Sequence, residues 1–304
     1  MTTPSARLSA LPGYPDLGPD DLILSHFSLG RYVPFPDRVA AAAGAGFAGI
    51  SLYAGDYARL RAEGWSDAAL RAVLDDHGVR VLELEALRGW SARGQARTAY
   101  LDEERSLLKM ADALGPAHHV QAVGPFEGPI EAAAEGFAGM CDRAAEHGLG
   151  VALEFLPEMS NIPDARVALE LVELAGRPNG GLCIDVWHHY RGAADDDQLR
   201  AVPVDRVLSV QFGDGPRQRV LADYRADCTT HRLPPGDGEF DLLRFLGVLA
   251  EMGVRLPFSV EVISAELQER LPLDALARLF AERTRAVLEA GRSAGATDTG
   301  QQLL

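Results

Sequence analysis

Eight short apolar runs, each followed by a stretch with helical periodicity, constrain this chain more than any other feature. The runs are LILSHFSL (22–29), FAGISLYA (47–54), VRVLELEAL (79–87), HHVQAVG (118–124), VALEFLP (151–157), LCIDVWH (182–188), VLSVQFG (207–213) and FSVEVIS (258–264). Between them, DAALRAVLDDHG (67–78), LDEERSLLKMADALG (101–115), IEAAAEGFAGMCDRAAEHG (130–148), DARVALELVELAG (164–176) and FDLLRFLGVLAEMG (240–253) repeat apolar residues at a spacing near 3.6. Several of these end in glycine, as helix C-termini prefer, and the weakest stretch lies between Asp195 and Asp205, where Pro203 interrupts it. Alternating strands and helices without a linker-like break predict an α/β fold: one (β/α)8 barrel around an eight-stranded parallel sheet. An open doubly wound sheet is the competing arrangement, but neither G-x-G-x-x-G nor G-x-x-x-x-G-K-[ST] follows the first run. The barrel is assigned to residues 21–291, with 1–20 as an N-terminal extension and 292–304 as a flexible tail, both rich in Pro, Gly, Ser and Thr.

Four successive runs share one pattern. Val151-Ala152-Leu153-Glu154-Phe155, Leu182-Cys183-Ile184-Asp185-Val186, Leu208-Ser209-Val210-Gln211-Phe212 and Phe258-Ser259-Val260-Glu261-Val262 each read apolar, small, apolar, polar, apolar. Strand side chains alternate faces, so one face is wholly apolar and suited to the outer helices. The other face carries a small residue and then Glu154, Asp185, Gln211 or Glu261 towards the C-terminal end, where the catalytic groups of such barrels gather. Three carboxylates crowded at a low-dielectric mouth raise one another's pKa, and a divalent cation resolves that conflict. With the amide oxygen of Gln211 the donor set suits one hard or borderline ion, Mn2+ first, then Mg2+, Co2+ or Zn2+. The competing reading is a hydrogen-bonded polar network without an ion. Cys183 lies one layer deeper and reads as packing.

Other positions carry weaker signals. His26 ends the first run and can reach the mouth. Glu83 and Glu85 alternate with apolar residues, so one of them is expected in the lumen. Glu158 follows Glu154 by four residues and fits a supporting role in the same loop. His118 and His119 stand at the opposite end of their strand from the mouth. Phe27, Tyr53, Trp90 and Trp187 are candidates for an apolar wall or for core. Asp214 suits a turn as well as chemistry, and ADDDQ (194–198) reads as a solvated helix start.

Net charge −15 argues against a nucleic-acid partner, whose binders carry a basic face. No run of about 18 apolar residues predicts a membrane span, and the start lacks the apolar segment of a signal peptide. Three scattered cysteines, in no metal-like spacing, suit a reduced, cytoplasmic setting. A small-molecule substrate is therefore the expected partner, and homo-oligomerisation through the barrel's outer faces is compatible with this reading.

The motifs ALEF, CIDVWH and SVEV resemble the xylose-isomerase-like TIM barrels, a superfamily of sugar-phosphate isomerases and epimerases that also holds inosose dehydratases and endonuclease IV. The resemblance covers about residues 20–290. It implies metal ligation by Glu154, Asp185, Gln211 and Glu261, with His188 beside the ion and proton transfer by Glu154 and Glu261. Gln211 departs from the histidine common in isomerases and is similar to the residue in bacterial 3-dehydroshikimate dehydratases. HRLPPGDGEFDLLRFL (231–246) resembles their Arg-x-x-Pro-Gly-x-Gly stretch, which implies Arg232 as a substrate contact, and LEALRGW (84–90) offers Arg88 similarly.

The expected activity is a divalent-metal-dependent isomerase or epimerase acting on a small polyhydroxylated carbonyl compound. It would proceed by proton abstraction next to the carbonyl through an enediolate. A metal-dependent dehydratase of 3-dehydroshikimate or inosose type is the alternative. His188 serves either as the acid for a leaving hydroxyl or as an anchor for a substrate oxygen. The acidic charge and the lack of extra His and Glu ligands for a trinuclear site argue against a repair nuclease, and a non-catalytic binding barrel is the remaining class.

Overall fold

The computed structural model describes Tyr14 and residues 16–301, with side chains as far as Ala294. Eight strands, β1 (Leu22–Leu24), β2 (Gly49–Tyr53), β3 (Arg80–Leu87), β4 (His119–Ala122), β5 (Gly150–Glu154), β6 (Gly180–Asp185), β7 (Val207–Phe212) and β8 (Phe258–Val260), follow one another around a closed barrel. Every neighbouring pair is parallel, including β1 with β8. The chain is a single (β/α)8 TIM barrel, and all eight apolar runs supply a strand.

The helices are α1 (Phe35–Gly44), α2 (Ala54–Ala62), α3 (Asp67–His77), α4 (Gly94–Thr98), α5 (Leu101–Leu114), α6 (Ile130–Ala145) and α7 (Ala165–Ala175). They continue with α8 (Val186–Arg191), α9 (Asp196–Arg200), α10 (Tyr224–Cys228), α11 (Leu242–Glu251), α12 (Ala265–Arg270) and α13 (Leu273–Gln301). Local chemistry sets their ends. Ser66 accepts the Ala69 N–H at 3.1 Å before α3, and Asp164 accepts the Val167 N–H at 2.9 Å before α7. Gly78 and Gly176 then close these two helices in the left-handed region, with φ of 65° and 63°. The interrupted stretch around Pro203 yields only the single-turn α9 and a 3-10 turn, Val204–Arg206. Asp196, expected at a solvated helix start, is instead buried against His189 and Arg244.

The outward face of the strands, with Val151, Leu153, Ile184, Val210, Phe212 and Val260, is buried with Leu171, Val172, Phe245 and Phe280 of the helices in one core. Each such side chain contributes roughly 1.5–3 kcal/mol by leaving water. Leu208 departs from the expected parity. The register shifts between Leu182 and Cys183, and Leu208 packs with Ala152 and Cys183 in a separate cluster. A Cβ at Gly181 would lie 2.4 Å from the Arg206 carbonyl oxygen and 2.7 Å from Leu208 Cγ, so the bulge requires glycine there.

The lumen is closed from below by polar groups. Glu83 accepts hydrogen bonds from Tyr14 (2.7 Å), Ser209 (3.1 Å) and Ser259 (2.6 Å), groups that reach it from three separate parts of the chain. Tyr14 stacks on His118 at 3.8 Å between ring centroids. Part of the N-terminal extension is thus a plug in the barrel floor, although residues 1–13 and 15 lie outside the described residues. At the other end α13 stays helical through residues 292–301, where the composition suggests a flexible tail, and 302–304 lie outside the described residues. Among the described residues no helix is long and apolar enough to cross a membrane.

Candidate active site

Strand ends deliver the polar residues to one place. Glu154 is the last residue of β5, Asp185 the last of β6, Gln211 pairs in register with Asp185, and Glu261 follows β8 directly. Asp185 also begins α8. Its Oδ1 accepts the Trp187 N–H at 2.8 Å, which leaves Oδ2 to face the lumen. The turn of α8 then returns His188 to the same spot, its Nε2 lying 3.3 Å from Glu154 Oε1 and 3.4 Å from Asp185 Oδ2. Ligand atoms of Glu154, Asp185 and His188 all lie within 4.8 Å of one another, a spacing that can hold a metal ion.

Arg232 enters this cluster as a buried cation. Its Nη1 lies 2.9 Å from Asp185 Oδ2 and 3.1 Å from Glu261 Oε2, and its Nε donates to the Cys228 carbonyl at 3.2 Å. Burial opposes its charge, but Asp185, Cys228 and Glu261 outweigh that and hold it firmly protonated. Burial pushes the Glu261 carboxyl up to about 7, with Arg232 opposing the rise and Asp185 and Glu154 adding to it. Glu85 is raised well above the usual carboxylate range, first by burial and then by the charge of Glu261. Ser25 Oγ donates to Glu261 Oε1 at 3.0 Å and lies 3.4 Å from Glu85 Oε1.

Gln211 is fully buried. Its Nε2 donates to Gln121 Oε1 at 3.2 Å, and Gln121 Nε2 in turn donates to Glu154 Oε2 at 2.9 Å. The Gln211 Oε1 has no hydrogen-bond partner. A buried carbonyl oxygen left unpaired costs on the order of 1–3 kcal/mol, so this atom fits a cation as its missing partner. Carboxylate and amide oxygens are donor types that a hard or borderline divalent ion takes.

Above the cluster opens a cavity of about 520 Å3, lined among others by Glu85, Gln121, Glu154, His188, Arg232 and Glu261, with Phe27 and Tyr53 as aromatic walls. Both strand-3 glutamates face the lumen, Glu83 in the floor and Glu85 at the mouth. Arg88 reaches the cavity rim, where Glu103 binds both its backbone N–H and its guanidinium. His26 lies buried beside Phe27 and Tyr53 with both ring nitrogens unpartnered, and it is not part of the cavity lining. Glu158 turns away. Its side chain is 54% exposed and pairs with Arg219 at 2.9 Å. Trp90 and Trp187 are core, whereas His118 and His119 belong to the floor. Asp214 organises a loop: it accepts the N–H groups of Gly215, Gly236, Gly238 and Phe240 at 2.7–3.1 Å.

Two residues that serve the site, Tyr224 and Gln121, are not among the candidates read from the sequence. Tyr224, on α10, places its hydroxyl 2.7 Å from His188 Nδ1, with the two rings stacked at 6.0 Å. Because His188 Nε2 faces two carboxylates, the arrangement is satisfied when Nε2 carries the proton and Tyr224 donates to Nδ1. No local signal points to Tyr224. Gln121 does carry one, since Val120-Gln121-Ala122 repeats the apolar-polar-apolar strand ending of β5 to β8.

Several known proteins resemble this chain in sequence or fold. A 3-dehydroshikimate dehydratase of Pseudomonas aeruginosa is 27% identical over 236 residues, 75% of this chain but only 36% of that protein. An inosose isomerase of Bacillus velezensis is 24% identical over 222 residues, 70% of this chain and 77% of the relative. Two solved structures share the fold. A xylose isomerase-like TIM barrel/4-hydroxyphenylpyruvate dioxygenase fusion protein has a TM-score of 0.80 at 22% identity, over 92% of this chain and 44% of that one. The IOLI protein, whose structure is described as binding a zinc atom, has a TM-score of 0.79 at 19% identity, over 89% and 98% of the two chains. The family described as xylose isomerase-like TIM barrel matches residues 39–283, and with most of its length so matched this chain belongs to that family.

Proposed function

We propose that this chain is a divalent-metal-dependent enzyme that removes the proton beside a carbonyl in a small polyhydroxylated compound and returns it to give an isomer or epimer. One observation carries the reading: Glu154, Asp185 and Glu261 meet below a single cavity, beside an amide oxygen of Gln211 that has no partner. Glu154, Asp185, Gln211 and Glu261 would hold the ion, and the zinc of the IOLI structure supports a divalent one. Such an ion supplies Lewis acidity that polarises the carbonyl.

The chain's own residues supply the proton transfers. Glu261, whose carboxyl burial pushes up to about 7 before an ion binds, is the carboxylate assigned to take and return the proton. Glu154, held by Gln121, is the second carboxylate and allows transfer between neighbouring carbons. Arg232 balances the charge of Asp185 and Glu261 throughout.

A second reading, dehydration, is favoured by His188. Its Nε2–H, held in place through Tyr224, is a proton donor within the carboxylate cluster and suits a departing hydroxyl. The dehydratase relatives and the neutral Gln211 support it further. The test is turnover of polyhydroxylated ketones with Mn2+ in deuterated water. Isomerisation gives a product of unchanged composition apart from deuterium, and dehydration gives a conjugated, ultraviolet-absorbing product. Both activities are expected to vanish in Glu154→Gln and Glu261→Gln, and full activity in both variants would overturn the assignment.

A further inference from the structure

The cavity carries opposite charge at its two ends. Its depth is lined by Glu85, Glu154 and Glu261, whereas its rim is lined by Arg31, Arg88 and Arg225. Arg88 is neutralised by Glu103, but the other two are not. Arg31 donates to the Tyr53 hydroxyl at 3.1 Å, and its guanidinium lies over the Tyr53 ring at 4.8 Å. No hydrogen bond or ion pair engages the Arg225 guanidinium among the described residues. The two side chains come from distant parts of the chain, Arg31 just beyond the 3-10 turn His26–Leu29 that follows β1 and Arg225 from α10 after β7.

With 44 acidic against 29 basic residues, carboxylate partners are abundant in this chain. Two guanidiniums left without one, converging on the same cavity, signal a counter-charge that arrives from outside. Tyr53 holds Arg31 by its ring face and one hydrogen bond from Nη2, which leaves the other guanidinium N–H groups available. A guanidinium binds carboxylate or phosphate through charge-assisted, paired hydrogen bonds, whereas a neutral hydroxyl uses little of that capacity.

We propose that Arg31 and Arg225 form an anion subsite at the rim, which takes a carboxylate or phosphate of the substrate while the hydroxylated carbonyl end sits at the carboxylate cluster. This rests on the proposed function above and narrows its substrate class to anionic polyhydroxylated carbonyl compounds, excluding neutral sugars and cyclitols. The cavity volume suits a molecule of that kind, within the roughly 300–1,000 Å3 usual for small-ligand sites.

Calorimetry on the full chain tests the subsite without turnover, using a hydroxylated cyclohexane carboxylate, its neutral carboxamide and a sugar phosphate, none of them bearing a carbonyl. The acid or the phosphate should bind at least about tenfold more tightly than the carboxamide. Which of the two wins identifies the anion. That preference should disappear in the Arg31→Gln/Arg225→Gln double variant, while carboxamide binding stays unchanged. Equal binding of acid, phosphate and amide by the natural chain, or an anion preference that survives the double variant, would overturn the proposal. Solvent deuterium exchange into a hydroxylated ring ketone that carries a carboxylate reads the enolisation step separately. Its failure sinks the proposed function, whereas exchange without anion preference sinks only the subsite.

Discussion

Replacing Arg232 by methionine removes the cation that faces Asp185 Oδ2 at 2.9 Å and Glu261 Oε2 at 3.1 Å. Both carboxylates are buried, so neither can recover its hydration. Breaking a buried ion pair by deleting one partner costs about 3–5 kcal/mol, a large share of the 5–15 kcal/mol typical of a whole domain. The loss should depend on pH. Glu261 sits near 7 when folded against an ordinary 4.5, so its contribution to stability is complete below about 4.5 and is lost as pH rises through about 7. Without Arg232, which opposes that rise, the folded value climbs further. The penalty is therefore smaller at pH 5.5, where the Glu261 carboxyl is neutral in both proteins and only Asp185 loses a counter-charge, than at pH 8, where both do. Urea unfolding of both proteins at the two pH values, in the presence of a chelator, measures this. Excess Mn2+ should then restore about 2–3 kcal/mol to the variant at pH 8, since a ligand at 100 times its Kd adds about 2.7 kcal/mol. A loss below about 1 kcal/mol at pH 8, or an equal loss at both pH values, would refute the charge balance described here.

Gln211→Leu removes the unpaired amide oxygen and should weaken Mn2+ binding by about tenfold to a hundredfold in a calorimetric titration, with the barrel still folded. Tyr224→Phe frees His188 Nδ1 and should lower kcat by about tenfold or more with KM little changed, and it should add nothing to a His188→Asn variant. Tyr14→Phe removes one of three donors to Glu83 in the floor; thermal unfolding should show a loss of about 1.5–3 kcal/mol, while turnover at the distant mouth stays unchanged. Asp214→Ala leaves four N–H groups without their acceptor, and limited proteolysis should then cut within residues 213–240 far faster than in the natural chain.

Much of the barrel was legible because its signals are local. Two-residue alternation placed Ala152 and Glu154 on one face and Leu153 on the other from the sequence alone, and eight such runs separated by helical stretches leave few architectures open. The same parity brought Glu154, Asp185, Gln211 and Glu261 to the C-terminal rim, and its extension to Val120-Gln121-Ala122 would have added Gln121. Parity failed where the register slips. Leu208 reads as outward from its neighbours, yet the shift beside Cys183 turns it into a separate cluster with Ala152.

Spacing along the chain misled at Glu158, four residues from Glu154, because the loop past Leu156 turns back on itself and sends the side chain to Arg219. It gave no hint of Tyr224, thirty-six residues from the histidine it holds. Nor does composition show that Tyr14 plugs the floor or that helix α13 continues through residues 292–301.

The sequence by itself therefore determined the barrel, the order of its strands and the ring of polar groups at its mouth, since each follows from a repeat only a few residues long. Tertiary structure alone decided which side chains meet: Arg232 between Asp185 and Glu261, and Tyr224 on His188. Arg232 and Tyr224 both lie in the long connection between β7 and β8, whose path is set by how the whole barrel closes, and an ion pair or hydrogen bond exists only where closure brings its two halves within about 3 Å.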